Sequence, residues 1–339
     1  MQPSASKKIG SQSWRLENPP VIVASASIVG EMEGQGPFGR SFDYVLEDSY
    51  FGEKSWEKAE SKMLRETVKL SLRKSGLGPE DVDFMLAGDL LNQIVAANFA
   101  ARELNIPFLG LYGACSTMAE SLAIGSMLID GGFASRVVAA SSSHHETAER
   151  QYRFPTELGT QRPPWSQWTV TGAGAVLLAR EGRGPVVTHL TLGKVMDLGA
   201  TDANDMGSAM APAAADTLIS HFKDTGRQPG DYDLMITGDL GKVGLSIARD
   251  LLQKEGFAVG DNFDDCGVLI YYPEQDAHAG GSGCGCSAVM LCGPLLQRLA
   301  DGNYQRILLV GTGALLSPLT VFQGETIPAI AHLVVIERR

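Results

Sequence analysis

Short, nearly unbroken apolar runs alternate along this chain with longer stretches whose apolar positions recur every three to four residues. The runs predict strands buried on both faces, and the longer stretches predict amphipathic helices. Helical spacing covers 56–74, 93–103, 213–223 and 243–254. Strand-like runs cover 82–87, 108–112, 136–141 and 169–179, then 185–195, 234–237, 268–272, 306–310 and 331–336. Alternation of this kind implies parallel sheets covered by helices, an α/β class.

The pattern repeats itself. Asp81 to Leu90 matches Asp231 to Leu240 at an offset of 150, with Asp-x-Asp, Met and Gly-Asp-Leu at equal positions. A Gly/Cys/Ser turn follows each copy, at Gly113-Ala-Cys115-Ser116 and Gly285-Cys286-Ser287. Each turn leads through an Ala/Leu-rich stretch to Asp-Gly and then to a strand opened by arginine, Arg136 or Arg306. Two blocks in one order at one spacing predict a duplicated fold. Its halves span 1–182 and 183–339.

Composition narrows the class. The 339 residues are 44% hydrophobic, enough for a large core, and carry a net charge of −11. No dense Lys/Arg run is present, so nucleic acid is not an expected partner. The polar opening residues predict no secretion signal, and no apolar run is long enough to span a bilayer. The five cysteines, Cys115, Cys266, Cys284, Cys286 and Cys292, are expected to be reduced thiols. The last four lie in apolar or glycine-rich text without the usual zinc spacing, so no metal is expected.

Two similar halves sharing a helical layer, with Phe108-Leu-Gly-Leu-Tyr-Gly-Ala-Cys115-Ser-Thr117 at a strand-to-helix junction, resemble the thiolase superfamily, which includes the β-ketoacyl synthases. The resemblance implies a five-layer αβαβα fold with Cys115 at the nucleophile position. A helix start favours a thiolate, and its free N–H groups also suit a carboxylate. The partners of a synthase nucleophile are missing. The stretch matching the histidine-bearing loop reads Ile236-Thr-Gly-Asp-Leu-Gly241, without His or Asn. The stretch matching His-Gly-Asn-Thr-Ser reads Ala279-Gly-Gly-Ser-Gly-Cys284, with Gly281 or Ser282 at the Asn position and His278 three residues too early. His144, His145 and His332 are the remaining candidates for a replacement imidazole.

Within the superfamily, longer segments resemble the stage V sporulation AD family of spore-forming bacteria. They include Leu86-Ala-Gly-Asp-Leu-Leu-Asn-Gln93, Met206-Gly-Ser-Ala-Met-Ala-Pro212, Gly313-Ala-Leu-Leu-Ser-Pro318 and Thr326-Ile-Pro-Ala-Ile-Ala-His332. That resemblance implies a non-catalytic protein that binds dipicolinic acid, alone or as its calcium chelate. It implies no cofactor, a homodimer, and work beside the membrane subunits of the SpoVA complex at the inner membrane of the forming spore. The expected pocket uses Cys115, Ser116 and Thr117 as its floor. Asn92, His144, Ser282 and His332 are its expected polar walls, with Gly313 to Ser317 as the closing loop. Gln93 and Ile94 are expected at the subunit interface. Arg150, Arg153 and Arg162 offer positive charge in the loop before Trp168, as a binding element or a solvated one. Acyl transfer through Cys115 remains the alternative, and a purely structural subunit a third.

Overall fold

In the computed structural model, which describes residues 7–339, the two halves repeat strand for strand. The first contributes β1 (Val21–Val29), β2 (Phe84–Gly88), β3 (Phe108–Gly110), β4 (Arg136–Ser143) and β5 (Gly172–Ala179). The second contributes β6 (Val186–Leu192), β7 (Leu234–Thr237), β8 (Phe263–Asp265), β9 (Arg306–Ala314) and β10 (Ala329–Glu337). The spatial orders are β3-β2-β4-β5-β1 and β8-β7-β9-β10-β6, which are the same order in the two halves. In each block the first three strands run parallel and the fifth of the chain, β5 or β10, is antiparallel to both neighbours. The blocks meet where Val21 pairs with Val186.

The helices are α1 (Trp56–Lys74), α2 (Val95–Leu104), α3 (Thr117–Asp130), α4 (His145–Tyr152), α5 (Met206–Thr225), α6 (Gly241–Lys254) and α7 (Cys284–Met290). Helix α1 buries Ala59, Met63, Leu64, Val68 and Leu72 on one face and, with α2, covers the outside of the first block. Helices α5 and α6 cover the outside of the second, through residues such as Leu218 and Phe222. Helices α3 and α7 lie between the blocks and are buried nearly all round, as a central layer requires. The five-layer αβαβα plan follows.

The duplicated sequence performs duplicated work. One Asp83 carboxylate oxygen accepts from the N–H groups of Ser135 and Arg136, at 2.7 and 2.9 Å. Asp233 does the same for Gln305 and Arg306, at 2.7 and 2.8 Å. The Asp-x-Asp motif therefore ties the start of β2 to β4 and of β7 to β9. The Gly-Asp that closes each copy ends up at the site described below.

Three elements differ from the pattern-based expectation. The run 268–272 is not a strand: Asp265 caps a helical turn at Cys266–Leu269 by accepting from the Val268 N–H at 3.0 Å, and the edge strand lies earlier, in β8. An apolar run of that length does not separate a strand from a buried helical turn. Strand β1 has no counterpart in the expectation. Helix α5 begins at Met206, where Asp205 caps the Ser208 N–H, and continues through Pro212. Beyond α7 the chain makes a π-turn at Leu291–Leu295 around Pro294, whose missing N–H interrupts the regular ladder, and resumes as Leu296–Ala300. Among the described residues no helix is long and apolar enough to cross a membrane.

Candidate functional site

Cys115 sits in a single turn, Ala114–Ser116, between β3 and α3. Ala114 takes φ +49°, a left-handed conformation that costs a residue with a Cβ and persists only where its surroundings enforce it. The enforcement is visible. The Ser116 N–H and hydroxyl both donate to Gly113 O, at 3.0 and 2.7 Å. The Thr117 hydroxyl donates to Ala114 O at 2.7 Å. Strand β9 presses on the turn from below: a Cβ at Gly313 would stand 2.4 Å from Gly113 O and 3.1 Å from Ser116 N. Only glycine allows that approach.

A buried carboxyl stands near the Cys115 thiol. Asp239, fully buried after β7, is close enough to raise the pKa of the thiol. It also accepts from Thr312 Oγ1 at 2.7 Å, Gly283 N at 2.9 Å and Ser282 Oγ at 3.4 Å. Burial pushes its carboxyl up to about 6, against the pull of those donors. Burial, then Asp239 and Cys284 nearby, push the Cys115 thiol well above its ordinary range, and the Gly283 N–H offsets this only in part. The helix start does not yield a thiolate here, because desolvation and a neighbouring acid outweigh it. Alkylation of Cys115 by iodoacetamide near neutral pH is therefore expected to run about tenfold or more slower than that of an exposed free cysteine. Peptide mapping with mass readout checks this, and equal rates would contradict a neutral thiol.

Cys115 forms part of the wall of a cavity of about 260 Å³, with Asp89, Tyr112, Tyr152, Arg153, Thr169 and Ser282 as its other polar walls. Leu90, Leu91, Leu315 and Leu316 close it with apolar surface. Asp89 accepts from Leu91 N at 2.8 Å and Ala97 N at 2.7 Å, so it caps the turn that opens α2. Burial, with Glu60 behind it, holds this acid well above the usual carboxylate range. The Tyr152 hydroxyl donates to Leu90 O. Arg153 is the one cationic side chain among the lining residues described. It is buried and forks onto Glu149, with Nε donating to Oε2 at 2.7 Å. Hydrogen bonds and attraction from Arg153 hold Glu149 below its ordinary value in spite of burial. The Thr169 hydroxyl completes the pair by donating to Glu149 at 3.1 Å.

Of the residues expected from sequence, Cys115 and Ser282 line this cavity. Ser116 and Thr117 lie beneath it, their hydroxyls committed to the turn. Gly313 packs under the same turn, and its neighbours Ala314 to Leu316 reach the cavity while Ser317 stands outside it, just before the short helix Pro318–Phe322. Asn92 is exposed beside the rim, its N–H donating to Gln151 at 3.1 Å. His144 points elsewhere: Nε2 lies 2.8 Å from Ser49 O and Nδ1 lies 3.1 Å from Glu146. His332 lies near Gly193 N, at 3.4 Å, and burial lowers its imidazole to about 4. Ile94 lines the cavity, and Gln93 stands outside it.

Asp89 and Asp239 were not singled out by residue chemistry. The duplication carried the signal, because both are the Asp of the repeated Gly-Asp and the fold brings both to one site. Each strand end delivers its acid toward the central layer, from opposite halves. Tyr112 and Tyr152 had no such marker.

A duplicated five-layer fold with a buried cysteine at the start of a central helix defines a thiolase-like protein. Solved structures agree. The chain superposes on 3-oxoacyl-[acyl-carrier-protein] synthase III from Aquifex aeolicus with a TM-score of 0.58 at 14% identity, covering 94% of this chain and 99% of that one. It superposes on human mitochondrial 3-ketoacyl-CoA thiolase with a TM-score of 0.58 at 14% identity, covering 96% and 99%. Identities this low speak for the fold alone. A sequence model of the stage V sporulation protein AD family matches residues 10–337. Stage V sporulation protein AD of Bacillus subtilis is 51% identical over 332 residues, 98% of each chain. The chain belongs to the stage V sporulation protein AD family.

Proposed function

We propose that the cavity at Cys115 binds dipicolinic acid, as the free acid anion or with calcium, and that the chain carries out no acyl transfer. In this reading it serves the membrane subunits of a SpoVA complex as their ligand-binding component, as a homodimer, in the forming spore. The observation that carries the reading is the carboxyl of Asp239 against the Cys115 thiol. A thioester-attacking cysteine needs a thiolate and a donor for the developing oxyanion. Cys115 instead meets an acid that raises its pKa, and no histidine is among the described lining residues. The cavity is smaller than the roughly 300–1,000 Å³ of sites for drug-sized ligands, and so suits a single ring with short substituents. Arg153, shared with Glu149, is the cationic group of the wall, and Cys115, Tyr112 and Asp89, whose carboxyl is held well above the usual range, supply donors to carboxylate oxygens.

Two acids beside an anionic ligand set the pH dependence. While Asp239 and Asp89 hold protons they tolerate or donate to the ligand; once ionised they repel it. Dipicolinate affinity measured by calorimetry is expected to fall as pH rises through about 6, where Asp239 loses its proton. Absence of saturable binding across that range would refute the ligand. One feature favours acyl transfer, the place of Cys115 at the start of a buried helix. Incubation with acyl-CoA or acyl-carrier protein and intact-mass measurement decides: no adduct is expected, and a stoichiometric adduct absent from Cys115→Ala would establish the enzyme.

A further inference from the structure

The loop joining α4 to β5 encloses a second cavity, of about 130 Å³, and Arg153 stands in the wall of both. His145, Glu149, Thr156, Arg162 and Trp168 are among its other walls. Glu149 and Arg153 neutralise one another there. Arg162 has no such partner. Its Nη2 donates to Asp276 O at 3.0 Å, and its guanidinium carbon lies 4.6 Å from the centre of the Trp168 ring. Its Nη1 is buried without a hydrogen-bond acceptor, and among the described residues no carboxylate lies within ion-pair distance. His145 stacks on Trp168 with ring centroids 3.7 Å apart. Its Nε2 meets the Thr156 hydroxyl at 3.2 Å, and its Nδ1 is buried without a hydrogen bond, 4.0 Å from Glu149 Oε1. Burial, assisted by Arg153 and Arg162, lowers this imidazole to about 4, so it adds no charge.

Arg162 is half-buried, and Glu149 and Asp276 attract it without pairing with it, but its Nη1 is a buried donor left unsatisfied, which native structures rarely keep. The void beside it has room for roughly four waters at about 30 Å³ each, which is the room a carboxylate or phosphate group needs. The aromatic face of Trp168 holds the guanidinium in place, which keeps its fork presented. We infer that this second cavity binds a small oxyanion, a carboxylate or phosphate group, with Arg162 as its counterion. The site shares Arg153 with the Cys115 cavity, but Arg162 lines this one alone.

Calorimetric titration of the full chain with inorganic phosphate, and separately with acetate, tests this. Saturable binding of one anion per chain is expected in at least one arm. Phosphate alone would assign the site to phosphate groups, acetate alone to carboxylates, and both to either. Arg162→Gln is expected to weaken binding about tenfold or more, the scale of a charge-assisted hydrogen bond. Arg150→Gln, which alters a neighbouring arginine paired with Glu57 on the outside, is expected to leave it unchanged. No saturable binding in either arm, or equal binding in Arg162→Gln, would overturn the inference. A crystal structure grown in phosphate or acetate, whichever binds, guards against a misfolded variant: density beside Arg162 Nη1 is expected, and density only elsewhere would also overturn it.

Discussion

Arg153→Met is expected to destabilise the chain by about 3–5 kcal/mol, the scale of a buried ion pair broken on one side. Both members are buried, with side-chain exposures of 9% for Arg153 and 6% for Glu149. Removing the guanidinium leaves Glu149 with only the Thr169 hydroxyl at 3.1 Å and a neutral His145 for company. Replacing both at once, with Glu149→Leu beside Arg153→Met, is expected to recover most of the loss, because a matched apolar pair needs no counter-charge. Urea denaturation of the two variants measures the difference. A single-variant loss under about 1 kcal/mol, the range of exposed pairs, would show that solvent reaches the carboxylate. The pair also has a sign in pH. The folded value of Glu149 is depressed, so its contribution is complete above the unfolded value and is lost as pH falls through the folded one.

The second large effect runs the other way. Burial pushes Glu33 up to about 7, Asp265 up to about 7 and Asp239 up to about 6. An acid whose folded value is raised binds more protons in the native chain than in the unfolded one between the two values. Stability therefore falls as pH rises across that window, from about 4 to about 7, and levels off above it. Each group contributes on the order of 3 kcal/mol. The melting temperature is expected to be highest near pH 5 and lower by roughly 5 °C or more near pH 8. Glu33 offers an internal control. One of its oxygens accepts from Thr171 N at 3.1 Å and from the Tyr271 hydroxyl, and a glutamine oxygen can accept both without titrating. Glu33→Gln should therefore raise the melting temperature near pH 8 and leave it nearly unchanged near pH 5. A melting temperature that climbs steadily from pH 5 to 8 in the wild-type chain would contradict these raised values.

Much of this architecture was readable in the chain itself. Periodicity marked α1 with its observed ends and placed most strands to within a few residues. The paired Asp-x-Asp and Gly-Asp motifs announced the duplication, because the same hydrogen bonds are needed twice. The resemblance to the thiolase superfamily, carried by the duplication and the strand–Cys–helix junction, implied the fold and the place of Cys115. What pattern could not resolve was which side of the backbone a polar group turns to. His144 follows β4 as a site residue would, yet its ring turns to Ser49 and Glu146. Ser116 and Thr117 flank the cysteine, yet the strained Ala114 turn uses their hydroxyls internally. Asp239 looked like part of a loop that had lost its histidine. Only the packing shows its carboxyl buried near Cys115 and held by Ser282, Gly283 and Thr312.

The central layer has one more consequence. Helix α3 belongs to the first half but packs on β9 and β10 as well as β4, and α7 belongs to the second half but packs on β4 and β5. Each half thus completes the interior of the other, and the cavity draws Cys115 and Asp89 from one and Ser282 and Leu315 from the other. A ligand seated there bridges the two halves. Binding there stabilises the entire chain against unfolding in proportion to the logarithm of ligand concentration over Kd, so saturation with ligand raises the temperature at which all the layers come apart together.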